Sequence, residues 1–130
     1  MYRVILLFFY LPFFLIGCMD KPANIDEHLD EYEQLAQVVA AEVGSGQIVN
    51  IEQAKGQLLR LMAKLEVRRV RHDRDGRFVL LSGQSGIFSG QFSYLYNLTG
   101  EAIDLADAPN DGIERKHIKG RWYIEKAYFD

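Results

Sequence analysis

Residues 87–97 read IFSGQFSYLYN, and this stretch decides the fold. Aromatic and small polar residues alternate along it with a period of two, which is the period of side chains on the two faces of a β-strand. One face is aromatic and the other polar: Phe88, Gly90, Phe92, Tyr94 and Tyr96 against Ser89, Gln91, Ser93 and Asn97. We therefore predict a strand with one face toward a core and the other toward water or a partner.

Four other segments have strand patterns and lie on either side of this strand along the chain: residues 67–72, 78–82, 113–118 and 121–129. Asp73-Arg74-Asp75-Gly76 has the composition of a turn between the first two segments, and Lys119-Gly120 that of a turn between the last two. Residues 78–82 are apolar on both faces, which is typical of a central strand. These patterns predict an antiparallel meander.

Upstream of the strands the apolar period becomes that of α-helices. Asn24 is a predicted N-cap, and an apolar stripe follows it at spacings of three and four: Ile25, Leu29, Tyr32, Ala36, Val39 and Val43. A second helix is predicted from Asn50, with the stripe Ile51, Ala54, Leu58, Leu61, Met62 and Leu65. Gly56 in that helix costs about 1 kcal/mol relative to alanine, so it indicates either close packing or a break in the helix.

We expect an α+β fold in which two N-terminal amphipathic helices pack on one face of a four- or five-stranded antiparallel sheet. Residues 24–130 form a single domain in this interpretation. The element order is similar to that of cystatin-like and NTF2-like small domains. That resemblance implies a two-layer arrangement and, because it rests on element order alone, no particular activity.

The N-terminus has the pattern of a secretory leader. Arg3 precedes the uncharged residues 4–16, and these 13 residues would span about 20 Å as a helix, against about 30 Å for a bilayer core. Leu15-Ile16-Gly17-Cys18 follows and resembles the lipobox of bacterial lipoproteins. The resemblance implies a signal peptide of residues 1–17, a diacylglycerol on Cys18, and a lipidated N-terminus and tether of residues 18–23. A short uncleaved signal anchor is the alternative.

Lipidation of Cys18 would place the domain in the bacterial cell envelope, with membrane lipid as its first partner. An aspartate directly after the lipidated cysteine resembles an inner-membrane retention signal, and here that position is Met19. The resemblance therefore favours the outer membrane, facing the periplasm. Cys18 is the only cysteine, so the folded domain is predicted to lack disulfides.

Charge is distributed unevenly along the chain. Without Arg3 the net charge would be 14 − 18 = −4, which argues against nucleic acid as a partner. Residues 19–57 hold eight acids and two bases, whereas five arginines fall within ten positions: Arg68, Arg69, Arg71, Arg74 and Arg77. These arginines could pair with the acidic first helix of the same domain, or they could form a basic patch for an acidic partner.

No residue pattern points to catalysis or to a metal. His28, His72 and His117 do not share the spacing of metal ligands. Residues 83–86 read GQSG, but position 87 is isoleucine and the segment precedes a strand, so the pattern differs from a G-x-S-x-G nucleophile elbow. We predict no catalytic residues, no metal and no cofactor.

Protein binding is therefore our leading hypothesis. Trp122 and Tyr123 are adjacent in a predicted strand, so one of them must leave the helix-covered face. We predict a binding surface with Gln91, Ser93 and Tyr123 at its centre and Arg69 and Arg71 at its rim. The protein would then hold or inhibit another envelope protein, as inhibitor, immunity or exclusion lipoproteins do. The alternative is a small-ligand-binding domain or an envelope enzyme with a pocket between helices and sheet.

Overall fold

The computed structural model describes residues 21–84, 90–103, 105 and 112–128. The leader, Cys18 and the predicted strand residues 87–89 lie outside the described residues, as do residue 104 and residues 106–111. Within the described residues the chain is an α+β fold with two α-helices, two short 3-10 turns and one antiparallel sheet of six strands. The α+β prediction is confirmed at this level.

The helices are α1, Leu29–Glu42, and α2, Gly56–Lys64, and each follows a 3-10 turn, at Ile25–Glu27 and Ile51–Gln53. The strands are β1, Ile48–Asn50; β2, Arg69–His72; β3, Phe78–Ser82; β4, Gln91–Asn97; β5, Ile113–Lys119; and β6, Trp122–Ala127. Their order in the sheet is β1-β2-β3-β4-β6-β5.

The first helical segment begins where the sequence predicts. The Asn24 side chain accepts a hydrogen bond of 2.9 Å from the Asp26 amide, as an N-cap does. The predicted continuous helix is nevertheless divided, because the turn Ile25–Glu27 ends at His28 and α1 begins at Leu29. Its buried residues Tyr32, Leu35, Ala36 and Val39 keep the helical spacing of the predicted stripe.

The second helical segment begins where the sequence predicts but does not continue as one helix. Asn50 is the N-cap of the 3-10 turn Ile51–Gln53, and Asn50 and Gln53 form a capping box. Residues Ile48–Asn50 also pair with β2 and add a sixth strand to the sheet. The helix starts only at Gly56, which has a φ of +60°. A side chain at this left-handed position would be strained, whereas glycine adopts it freely. Of the two roles considered for Gly56, the break in the helix is therefore the one the chain uses.

The sheet is a meander only as far as β4. β6 then pairs with β4, and β5 lies outside β6 at the edge. Gly90, just before β4, lies so close to β6 that an added Cβ would be 1.7 Å from the carbonyl oxygen of Ala127, at a φ of +106°. This approach explains the glycine at this point of the aromatic strand.

One hydrophobic cluster joins both helices to one face of the sheet. Tyr32 of α1 lies at its centre and contacts Tyr94 and Trp122 edge to face, with ring centroids 5.2 and 5.9 Å apart. The other main members are Leu35, Val39, Leu58, Leu61, Met62, Val70, Val79, Leu81 and Phe92. The aromatic face of β4 is thus turned toward the helices.

A candidate binding surface on the second face of the sheet

The face of the sheet away from the helices, called the open face below, is defined by strand register. Two rows of opposed residues cross it. One row is Ile48, Arg71, Leu80, Leu95, Tyr123 and His117, and the other is Asn50, Arg69, Ser82, Ser93, Glu125 and Arg115. Their immediate neighbours along each strand, such as Val70, Leu81 and Tyr94, belong to the helix-side cluster.

All five predicted binding residues lie on this open face, but in different environments. Arg69 and Arg71 are exposed, and Gln91 and Tyr123 are half-buried. Ser93 is only 3% exposed, and its Oγ lies 2.6 Å from Oγ of Ser82 on the neighbouring strand. Ser93 therefore holds two strands together and is not part of the accessible surface.

The middle of the open face is closed, in contrast to the solvated polar face that the sequence predicts. Leu80 and Leu95 are 4% and 0% exposed. Beside them Arg115 Nε donates a 2.8 Å hydrogen bond to Glu125 Oε1, and both side chains are largely buried. The Arg115 guanidinium also lies 5.5 Å from the centre of the Phe78 ring. Phe78 is on β3 and Arg115 is on β5, and β4 and β6 lie between these two strands in the sheet. The contact therefore passes over β4 and β6.

The edge of the open face beside β5 carries an aromatic pair. The rings of Tyr123 and His117 meet edge to face with centroids 4.9 Å apart. His117 Nε2 lies 2.8 Å from the Gly120 carbonyl oxygen, which fixes the imidazole at the β5–β6 turn. This pair supplies a partly accessible apolar contact surface.

The edge beside β1 and β2 is basic. Among the described residues no carboxylate lies within 4.0 Å of Arg68, Arg69, Arg71 or Arg74. Arg69 and Arg71 share the open face, and we call these two residues the arginine patch. Arg69 Nε donates instead to the neutral Asn50 Oδ1, at 3.0 Å. Arg77 is the exception in the predicted cluster, since its Nε is 3.4 Å from Glu101 Oε2.

The acidic residues of the first helical segment form ion pairs with lysines, not with the arginine patch. Glu31 pairs with Lys64 of α2 at 3.1 Å, and Asp26 pairs with Lys119. The pKa of the Glu31 carboxyl is lowered, mainly because the backbone amide of Glu31 donates a hydrogen bond to it and, to a smaller extent, because Lys64 does. Of the two interpretations of the arginine cluster, pairing with the acidic helix is not what these residues do.

Two adjoining clefts lie at the end of the sheet where β2 starts and β3 ends. The smaller, of about 420 Å³, is lined by Arg69 and Gln91 among the predicted residues, and also by Asn50, Arg68 and Gln84. The larger, of about 520 Å³, shares Arg68 and Gln84 and extends to Lys21 and Glu66. Asn50 and Gln84 are not among the residues that the sequence predicts to bind. The sequence pattern places Asn50 at a helix start, and polarity is the only signal that either residue offers.

The histidines of the described ranges lie in separate places and share no common site. His72 Nδ1 lies 2.7 Å from the Val43 carbonyl oxygen in the core, and His28 lies 3.9 Å from Glu31. No group of three His, Cys, Asp or Glu side chains able to hold a metal occurs among the residues the structure describes. In the same part of the chain neither helix is long and apolar enough to cross a bilayer.

Comparison with known proteins returns no family model, no curated protein and no solved structure that matches this chain.

Proposed function

We propose that this protein is a non-catalytic, lipid-anchored protein of the bacterial cell envelope that acts by binding another envelope protein. The lipobox-like sequence ending at Cys18 supports the anchor and a position on the outer membrane facing the periplasm. An inhibitor, immunity or exclusion role fits a domain of this size whose described surface carries charge and aromatic contact area. A two-layer arrangement similar to cystatin-like and NTF2-like domains belongs to the same proposal.

The arginine patch is the observation that carries the proposal. The chain has a formal net charge of −3, yet Arg69 and Arg71 stand exposed on one strand without a carboxylate among the described residues. Guanidinium groups bind carboxylates through paired hydrogen bonds. An acidic segment of the partner is therefore the complement of this surface.

Each part of the surface has a separate role in the proposal. Exposed charges at a rim accelerate encounter and make it salt-dependent, because they act before contact is made. The ring of Tyr123 acts after contact, since burying a half-exposed aromatic mainly slows dissociation. Gln91 lies beside the patch, where its Nε2 is 3.4 Å from the Gly83 carbonyl oxygen.

A small-ligand-binding role is the second candidate, and the larger cleft favours it. Met62 and Ala63 of α2 and the strand-end residues Arg68 and Gln84 line this cleft. It would take a polar, anionic molecule, because Lys21 and Arg68 face it.

The test compares charge removal inside and outside the patch. Full-length protein is purified from solubilised membranes after crosslinking, as wild type, as Arg69→Gln/Arg71→Gln, and as Arg60→Gln/Lys116→Gln. The control removes the same charge from exposed positions on α2 and on β5. We expect one stoichiometric protein partner with wild type and control, and about tenfold slower association of the patch variant at low salt. Equal capture by all three proteins contradicts the site, and absence of any partner contradicts protein binding.

A further inference from the structure

The chain is fixed to the domain almost immediately after the anchor position. Pro22 is buried, and the Ala23 amide donates a 2.8 Å hydrogen bond to the Leu65 carbonyl oxygen. The Tyr32 hydroxyl donates to the Ala23 carbonyl oxygen, which ties this segment to the aromatic core. Lys21 Nζ lies 5.4 Å from the centre of the Phe92 ring. Residues 21–23 of the predicted tether 18–23 are thus held against the domain, and residues 18–20 lie outside the described residues.

This short connection limits how far the domain can stand from the membrane. Three peptide units join Cys18 to Lys21, and they span at most about 11 Å at about 3.8 Å per Cα step. Each headgroup layer of a bilayer is about 5–8 Å thick. With acyl chains on Cys18 inserted in the membrane, Lys21 and the surface around it must lie at or near the headgroups.

The surface around Lys21 is the pair of clefts at the sheet end. Lys21 and Arg68 line the larger cleft with Gln84, and Arg69 lines its neighbour. These three bases face two acids, Glu52 and Glu66. A volume of about 520 Å³ admits a phosphate group, and the ammonium and guanidinium groups are the side chains that bind one.

We propose that this end of the domain docks on the membrane, with the phosphate of an anionic phospholipid headgroup held between Lys21 and Arg68. The inference rests on the Cys18 anchor of the proposed function. β2 starts at this docked end of the sheet. The turn after β2 is therefore about 15 Å further from the membrane, at about 3.3 Å per residue. The open face then runs along the membrane normal, and Arg71 and Tyr123 face sideways toward a neighbouring envelope protein.

The experiment uses the full-length, lipidated protein in vesicles and exploits its single native cysteine. A fluorophore is attached at Gln84→Cys, beside the cleft, or at Ser45→Cys. Ser45 is exposed near the distal turn, where its Oγ would be 3.7 Å from a Cβ on Gly76. Quenching by a headgroup-attached quencher is compared in phosphatidylcholine vesicles with and without phosphatidylglycerol. Both probes are also measured with Lys21→Gln/Arg68→Gln and, as a charge control, with Arg74→Gln.

We expect strong quenching at position 84 and little at position 45, with the difference enhanced by phosphatidylglycerol. A base near an anionic surface contributes about 1 kcal/mol, so each removed charge lowers the docked-to-undocked ratio about fivefold. Arg74→Gln leaves the ratio unchanged. Equal quenching at the two positions overturns the orientation, and a preference for position 84 that ignores both lipid charge and the Lys21/Arg68 variant overturns headgroup binding.

Failure of the anchor gives a separate signature. If Cys18 carries no lipid, the unsubstituted protein incorporates no fatty acid and its own thiol takes the fluorophore. That result overturns the anchor together with this inference. A lipidated protein whose two probes are quenched alike overturns the orientation alone.

Discussion

The two faces of the sheet are built differently, although the same strands supply both. The helix side is closed by aromatic and aliphatic packing around Tyr32, Tyr94 and Trp122. The open face is closed at its centre by two leucines, a serine pair and the Arg115–Glu125 ion pair. Polar residues in alternating positions are thus no guarantee of a solvated face, because cross-strand partners can satisfy one another and be buried together.

This difference moves the accessible part of the open face to its edges. The arginine patch occupies the edge near β1, and the Tyr123–His117 pair occupies the edge near β5. Binding would thus engage two separated regions, one charged and one aromatic, on either side of a closed centre.

The largest effect on the free energy of unfolding is expected for two neighbouring leucines of β3 that lie on opposite faces of the sheet. Leu81 faces the helices at 0% exposure and Leu80 faces the open side at 4%. We expect Leu81→Ala to lower the free energy of unfolding by about 3–5 kcal/mol and Leu80→Ala by about 2–4 kcal/mol, because each deletes buried methyl groups. Urea unfolding measures both. A loss below about 1 kcal/mol for Leu80→Ala would show that the open face has no packed centre.

The next effect tests the ion pair of the open face. Glu125→Gln removes the charge that faces Arg115 in a largely buried site, and we expect a loss of about 1–3 kcal/mol. Glu101→Gln, whose carboxylate pairs with Arg77 but is 67% exposed, should change stability by less than about 0.5 kcal/mol. Similar losses in the two variants, measured by denaturant unfolding, would contradict the burial of the open-face pair.

A smaller effect is expected on the helix side of the sheet, where the buried Tyr32 makes the free energy of unfolding depend on pH. Burial raises the pKa of Tyr32 above its ordinary value, with the nearby hydroxyl of Tyr94 adding to the shift. The folded state therefore favours the neutral phenol, so the contribution of Tyr32 to stability is fully present below about pH 10 and is lost above it as the unfolded chain ionises. At about pH 11 the loss from Tyr32 is about 1 kcal/mol. Tyr32→Phe should show a shallower alkaline decline, and equal slopes would mean that Tyr32 ionises freely in the fold.

The smallest effect on stability belongs to the arginine patch. Arg69→Gln/Arg71→Gln should change the free energy of unfolding by less than about 0.5 kcal/mol, because both side chains are exposed and neither pairs with a carboxylate among the described residues. The one hydrogen bond lost, from Arg69 to Asn50, is at an exposed site. Thermal unfolding followed by circular dichroism checks this. A larger loss would assign these arginines to the structure of the sheet and would weaken the proposed binding surface.

Local patterns in the sequence determined the α+β class, the core stripe of α1, and the aromatic face of β4 that turns toward the helices. They also place Arg69 and Arg71 on one side of their own strand, and Gln91 and Ser93 on one side of theirs, since side chains alternate along a strand. That these residues and Tyr123 share one face of the sheet follows only from the register of the strands. The lipobox-like segment at Cys18 is likewise read from the sequence alone, and its role stays a prediction.

Other features were decided only by tertiary structure. Ile48–Asn50 is too short to show a period and becomes a strand because β2 offers it hydrogen bonds. β6 enters between β4 and β5 through pairing between distant residues, which no local pattern encodes. The burial of Ser93 and Glu125 depends in the same way on which side chains the fold brings within reach. So does the absence of a carboxylate near Arg69 and Arg71 among the residues that the structure describes. A sequence fixes the direction of each side chain along its own strand, but only the assembled sheet decides what lies opposite.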